Sequence, residues 1–232
     1  MKLLAIETAT LNVGAAIFEE DRILAVSSSR PGRLHVETLH PAIGRVLAES
    51  NTSPGELAGI AVDVGPGLFT GLRVGIAAAK AFAFALSLPV VGVRSTEAIR
   101  EAATRTAGDD DVIVPVVDMR RGDVAWELED GAAEIGTPEV LAQRLSTAGP
   151  VALVGDGARR LGDDLVSLIG ARFIEDEELL APPVEAIGRL GVIRLDQGVV
   201  EDAISIAPLY LRQADAVVNY ETRASAISEA RR

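Results

Sequence analysis

Few side chains in this sequence could do chemistry, and their spacing limits what they could do. The two histidines, His35 and His40, are five residues apart. On a helix that turns them about 140° away from each other, so one metal ion could not easily use both. We read His35 as sitting at a helix start and His40 as lying on the surface. Glu7 ends an apolar run and could hold a hard cation through water, but a structural role at a strand end suits it better. Gly65-Pro66-Gly67 precedes a helical pattern and could offer an anion the helix N-terminus. A tight turn that needs glycine's backbone freedom is the simpler reading. Gly155-Asp156-Gly157, after another apolar run, reads as a plain strand-to-helix turn. With no cysteine, thiolate metal sites, disulfides and a cysteine nucleophile are excluded. Neither a G-x-x-x-x-G-K-[ST] loop nor a G-x-S-x-G elbow occurs. The expectation is a chain with no catalytic residue, no cofactor and no metal of its own.

The elements that would position these residues repeat. Leu3 to Glu7, Val13 to Phe18 and Ile23 to Ser28 read as three strands, with an acidic hairpin turn between the last two. A helix follows from about His35 to Ser50, where Val36, Leu39, Ile43, Val46 and Leu47 recur at helical spacing. Ser53-Pro54-Gly55-Glu56 is a capping-box pattern for a short helical turn. Gly59 to Val64 is a strand, Thr70 to Leu88 a long helix and Val90 to Val93 a strand. After an Asp/Gly linker at 108–111 the order starts again: strands at 112–117, 124–128 and 132–135, a helix opened by Thr137-Pro138, a strand at 151–154, a helix at 158–169, a strand at 172–174 and a helix at 184–196. Residues 95–103 carry no assignment. Three strands before the first helix, twice, argue against one open α/β sheet, which alternates strand and helix throughout. The pattern predicts a duplicated α/β protein, two βββαβα halves around a cleft, the architecture of the actin and hexokinase group. The halves are 1–106, joined by a C-terminal helix at 212–232, and 107–211.

Charge narrows the partners. The net charge is −12 and the isoelectric point about 4.7. Nucleic-acid binding draws on Lys and Arg to neutralise phosphates, and the doublets Arg120-Arg121, Arg159-Arg160 and Arg231-Arg232 are isolated in the sequence. RNA, if it is the substrate, should be held mostly by another subunit. The longest apolar stretch, Ile76 to Val93, is interrupted by Lys80, Ser87 and Pro89 and falls short of a membrane span. The first seven residues meet an acid too early for a signal peptide. A cytoplasmic protein with no membrane partner is expected.

Several strings carry a resemblance: Leu4-Ala5-Ile6-Glu7-Thr8, the run from Gly65-Pro66-Gly67-Leu68 through Gly71-Leu72-Arg73-Val74-Gly75, Ala79-Lys80-Ala81, and Pro208-Leu209-Tyr210-Leu211-Arg212. The sequence resembles the TsaB family and, more distantly, its catalytic paralogues of the TsaD family, strongly over residues 1 to about 100. The resemblance implies a duplicated actin-like fold (the ribonuclease H-like class). It implies a subunit needed for threonylcarbamoyladenosine modification of ANN-decoding tRNAs. Such a subunit is a scaffold or activator of a TsaD-like paralogue, with which it forms a heterodimer, and works with a TsaE-like ATPase. Alone it forms a homodimer, and it meets tRNA indirectly through the complex. TsaD-like proteins hold a metal with H-x-x-x-H after the strand that follows the long helix; those positions here fall on Ser95 and Ile99, and Ile offers no lone pair. The acidic residues that catalytic members carry after the first strand become Leu11 and Asn12. A non-catalytic subunit is therefore expected. The competing readings are a stand-alone nucleotide-hydrolysing enzyme of the same fold and, far behind, a peptidase.

The long helix points to the partner. On a helical wheel Arg73, Lys80 and Ser87 form one polar stripe, and the rest of Leu72 to Leu88 is apolar or glycine. A helix on a sheet needs an apolar arc of about 100°, and this one offers roughly three times that. A second chain is expected to cover the excess in an intermolecular helical bundle. Leu39, Ile43, Val46, Val74, Ala78 and Phe82 are the expected interface residues.

Overall fold

A computed structural model describes residues 1–30, 34–108, 110–128 and 131–212. In chain order the regular elements are β1 (Lys2–Glu7), β2 (Val13–Glu19), β3 (Arg22–Ser29), α1 (His35–Glu49), β4 (Leu57–Gly65), α2 (Phe69–Leu86), β5 (Val90–Arg94), α3 (Ser95–Ala103), β6 (Val112–Asp118), β7 (Val124–Glu127), β8 (Ala133–Gly136), α4 (Pro138–Leu145), β9 (Val151–Val154), α5 (Gly162–Leu168), β10 (Ala171–Phe173) and α6 (Val184–Asp196). The expected C-terminal helix lies, beyond Arg212, outside the described residues.

The duplication is visible in the sheets. One runs β3-β2-β1-β4-β5 and the other β8-β7-β6-β9-β10. In each, the first strand pairs antiparallel with the second and parallel with the fourth. The second pairs antiparallel with the third, and the fourth parallel with the fifth. Two copies of one mixed five-stranded topology are the duplicated actin-like fold. β1 sits at the centre of its sheet, so both of its faces are covered and its run reads as unbroken hydrophobicity. Leu4 and Ile6 point to the side of α1 and α2, Leu3 and Ala5 to the side of α6.

The helices that close each half cross over. α3 follows the first sheet but packs mainly on β6 of the second, and α6 follows the second sheet but packs on β1, β4, β2 and β5 of the first. The repeat is thus βββαβαβ plus a helix given to the other lobe. α3 escaped the sequence reading because Ser95–Ala103 has only Ile99 and alanines as apolar residues. Its charges, normally a sign of a solvated face, are spent on internal ion pairs. The expected single helix at 158–169 is a 3-10 turn (Ala158–Arg160) followed by α5.

Candidate functional site

α1 and α2 lie side by side on the first sheet and leave a groove of about 490 Å³ between their outer faces. Val36 and His40 line it from α1; Phe69, Thr70, Arg73, Val74, Ala77, Ala78, Ala81 and Phe82 line it from α2. α2 turns Leu72, Ile76, Ala79 and Ala83 into the sheet. Its polar stripe meets the segment that runs back over it: Lys80 Nζ donates to the Ile204 carbonyl at 3.0 Å and Arg73 Nε to Tyr210 Oη at 2.9 Å. Arg73 also lies over the Phe69 ring, 3.6 Å from its centroid, and Phe69 stacks against Tyr210. What remains is an exposed apolar strip, Ala77, Ala81, Ala85 and Phe84, the last 83% exposed.

The six expected interface residues divide. Val74 and Phe82 are half-buried and line the groove; Ala78 lines it too but is nearly covered by its own lobe. Leu39, Ile43 and Val46 do not reach it. They are buried in the core between α1 and the sheet. The reason is helical phase: those three sit on the stripe that faces β2 and β3, and Val36 and His40 occupy the stripe that faces outward. The wide apolar arc of α2 is legible in the sequence; on α1 the apolar periodicity marks the stripe that faces the sheet. His35 is buried at the start of α1, its Nε2 2.7 Å from the Thr10 carbonyl, and His40 is exposed on the same helix.

The Gly65–Gly75 run has a packing explanation. A Cβ on Gly67 would come within 2.2 Å of the Ala9 carbonyl oxygen, on Gly71 within 2.0 Å of that of Thr8, and on Gly75 within 2.3 Å of Thr8 Oγ1. The glycines let the first turns of α2 press directly on the loop after β1. There Leu68 N donates to the Ala9 carbonyl and Thr8 Oγ1 to the Gly71 carbonyl. The start of α2 is thus occupied by the chain's own loop instead of facing an open anion site. At Gly155 and Gly157, too, a Cβ would strike the backbone of β6, so this turn packs directly on its neighbouring strand.

The cleft between the lobes holds carboxylates turned into internal ties. Glu7 is buried, and its Oε1 accepts from Ala9 N at 2.8 Å and Thr10 N at 3.3 Å. Asp63, at the end of β4, accepts from Ser95 Oγ at 2.7 and 2.9 Å and from Gly65 N at 2.7 Å. Burial pushes the Asp63 carboxyl up from its ordinary 3.8 to about 7. Burial, and then the neighbouring Asp63, raises Glu7 well above its ordinary value. Carboxyls so inclined to keep a proton are poor ligands for a hard cation. At the two positions where TsaD-like proteins carry histidines, Ser95 is engaged with Asp63 and Ile99 is buried in the core. The residues present therefore do not fit that metal.

Sequence reasoning missed the group on α3. Glu127 of β7 is 1% exposed and takes Thr96 Oγ1 at 2.6 Å, Arg100 Nη1 at 3.3 Å and Arg94 Nη2 at 3.3 Å. Glu97 binds Arg94 at 2.7 Å and Arg194 of α6 at 2.8 Å. Burial works to raise Glu97, but the Arg94 amide and the Arg194 guanidinium outweigh it and hold its carboxyl below the ordinary range. The first turn of α3 thus ties the first sheet, β7 and α6 together. Glu97 caps α3 by accepting from Arg94 N at 3.0 Å, without the Ser or Thr three residues earlier that would have marked a helix start in the sequence.

Fold and site together define an actin-like α/β protein whose cleft is internally tied and whose exposed specialisation is an apolar helical groove. Residues 27–148 match the model of the family described as TsaD, tRNA N6-adenosine threonylcarbamoyltransferase. The chain is 28% identical to the tRNA threonylcarbamoyladenosine biosynthesis protein TsaB of Escherichia coli, over 91% of its own length and 95% of that protein's. It is 32% identical to TsaB of Bacillus subtilis over 60% of the chain, an alignment spanning 61% of that relative's length, less than two thirds of it. The solved structure of YeaZ from Pseudomonas aeruginosa superposes with a TM-score of 0.77 at 26% identity, covering 90% of this chain and 99% of that one. The chain belongs to the TsaD family and, within it, to the TsaB group.

Proposed function

We propose that this chain is a non-catalytic subunit of the machinery that makes threonylcarbamoyladenosine in tRNA, and that it acts by docking a TsaD-like paralogue through the α1–α2 groove. One observation carries the reading: among the described residues a continuous apolar strip of α2, small-residue at Ala77 and Ala81 and aromatic at Phe84, with Phe82 half-buried beside it, is left uncovered. Small residues let a second helix approach closely, and the flanking aromatics supply the large buried area on which interfaces depend. A TsaE-like ATPase completes the assembly. In the absence of the paralogue, the same face pairs two copies of this chain. The tied carboxylates of the cleft support the non-catalytic part of the reading.

The test is capture of the cognate TsaD-like protein, followed by reconstituted tRNA modification with this chain omitted. The reading expects capture and a requirement for the chain. A complete reaction without it, or nucleotide hydrolysis by the chain alone, would contradict the proposal.

A further inference from the structure

Two of the three arginine doublets that lie apart in the sequence meet in the fold; the third, Arg231-Arg232, lies outside the described residues. Arg120-Arg121 sits in the turn after β6 and Arg159-Arg160 in the turn after β9. β6 and β9 are parallel neighbours, so both turns emerge at the same end of the second sheet. Arg120 Nη1 and Arg160 Nη1 share one carboxylate oxygen of Asp118, at 2.9 and 3.5 Å. Asp118 is itself buried, and its amide donates to Asp156 Oδ1 at 2.9 Å. Arg159 lies over the Phe173 ring at 5.8 Å. From the other lobe Arg30 reaches the same place: its charge, like that of Arg120, acts on Asp156, and it lines the cleft mouth beside that residue. All five arginines are exposed, Asp118 is buried and Asp156 half-buried. In a chain of net charge −12 this is a local reversal of sign.

We infer that Arg30, Arg120, Arg121, Arg159 and Arg160 form a surface that takes the phosphodiester backbone of an RNA. The inference rests on the proposed role in tRNA modification and adds a direct RNA contact to it. The buried Asp118 holds two of the guanidiniums in place, so less side-chain freedom is lost when a phosphate arrives. A free nucleotide is the poorer occupant. The 280 Å³ cleft beneath is lined by Asp156 and Glu177, whose carboxylates repel a triphosphate entering it, so phosphates meet the arginines from outside. The surface also adjoins the groove. The Pro208–Arg212 string passes from Tyr210, packed on Phe69 at the groove's end, to Arg212, which pairs with Asp123 in the same turn as Arg120. A partner seated in the groove therefore brings its RNA alongside these arginines.

The experiment is fluorescence anisotropy of unmodified ANN-decoding tRNA on the complex of this chain with its TsaD-like partner, between about 50 and about 200 mM salt. The Arg121→Gln/Arg159→Gln double variant and, separately, Arg30→Glu are compared with wild type. Thermal melting and partner capture are read on the same samples. Removing two phosphate contacts should weaken tRNA binding about tenfold or more and lower the slope of log K against log salt by about 1.4 to 1.8. Unchanged affinity and slope in both variants would overturn the inference and leave the docking reading intact. ATP competing with tRNA in the wild type but not in the variants would also overturn it, in favour of a nucleotide site. If the wild type fails to capture the partner, the docking reading fails; the isolated chain's affinity for the same tRNA, reduced or not by the substitutions, then decides the arginine surface separately.

Discussion

The interlobe cleft and the α1–α2 groove use their side chains in opposite ways. In the cleft, every carboxylate at a strand end is spent inward: Glu7 on the loop amides, Asp63 on Ser95, Asp118 on two arginines, Glu127 on Thr96 and Arg100. In the groove and on the strip of α2 beside it, apolar groups are turned outward, with Phe84 and Val36 the most exposed. Duplication gave both lobes the same scaffold, and the strand ends of such a sheet are where α/β proteins usually bind ligands. Here that end has become glue, and the outer helical face offers itself to a partner. Substitutions in the cleft should therefore register as stability, and substitutions in the groove as association.

The sharpest way to break this division is Glu127→Ala. It leaves Arg100 with only backbone carbonyls as partners, Arg94 with Glu97 alone and Thr96 without its acceptor, and should cost about 3–5 kcal/mol of unfolding free energy, read by denaturant melts. A loss below about 1 kcal/mol would mean that the tie is only a surface pair. Next is Ala81→Arg, on the exposed strip. It should leave the melt unchanged yet weaken partner binding by about 2 kcal/mol or more, roughly thirtyfold, measured by isothermal titration. Gly71→Ala tests the close approach of α2 to the β1 loop. Its Cβ meets the Thr8 carbonyl, so about 1–3 kcal/mol of stability should be lost with no metal or anion needed to explain it.

A pH slope probes the cleft without removing a packed group. Asp63 keeps its proton in the folded chain up to about pH 7 and loses it near 3.8 when unfolded. Between those values the folded state binds more protons, so stability falls as pH rises through this window and levels off above it. Asp63→Asn should flatten the slope. An unchanged slope would move its origin to Glu7, which is also raised.

Much of this was legible in one sequence. The runs Leu3 to Glu7 and Val151 to Val154 are central strands because buried strands need apolar residues on both faces, and the doubled order exposed the duplication. The excess apolar arc of α2 was legible because no single sheet can cover it. Three things were not. The inward phase of Leu39, Ile43 and Val46 depends on how α1 rolls on β2 and β3, and periodicity fixes a stripe without saying which way it faces. α3 hid because its charges are internal, and charge pattern alone cannot tell a solvated residue from a tied one. The arginine doublets looked isolated because the contact that joins them, through Asp118, spans 42 residues for Arg160.

The most direct test of the division is sedimentation of the Ala81→Arg chain, mixed with the TsaD-like partner, alongside its thermal melt. The account predicts a normal melt with both the heterodimer and the self-association lost. A variant that melts normally and still assembles at wild-type affinity would show that the groove is not where this protein meets its partner.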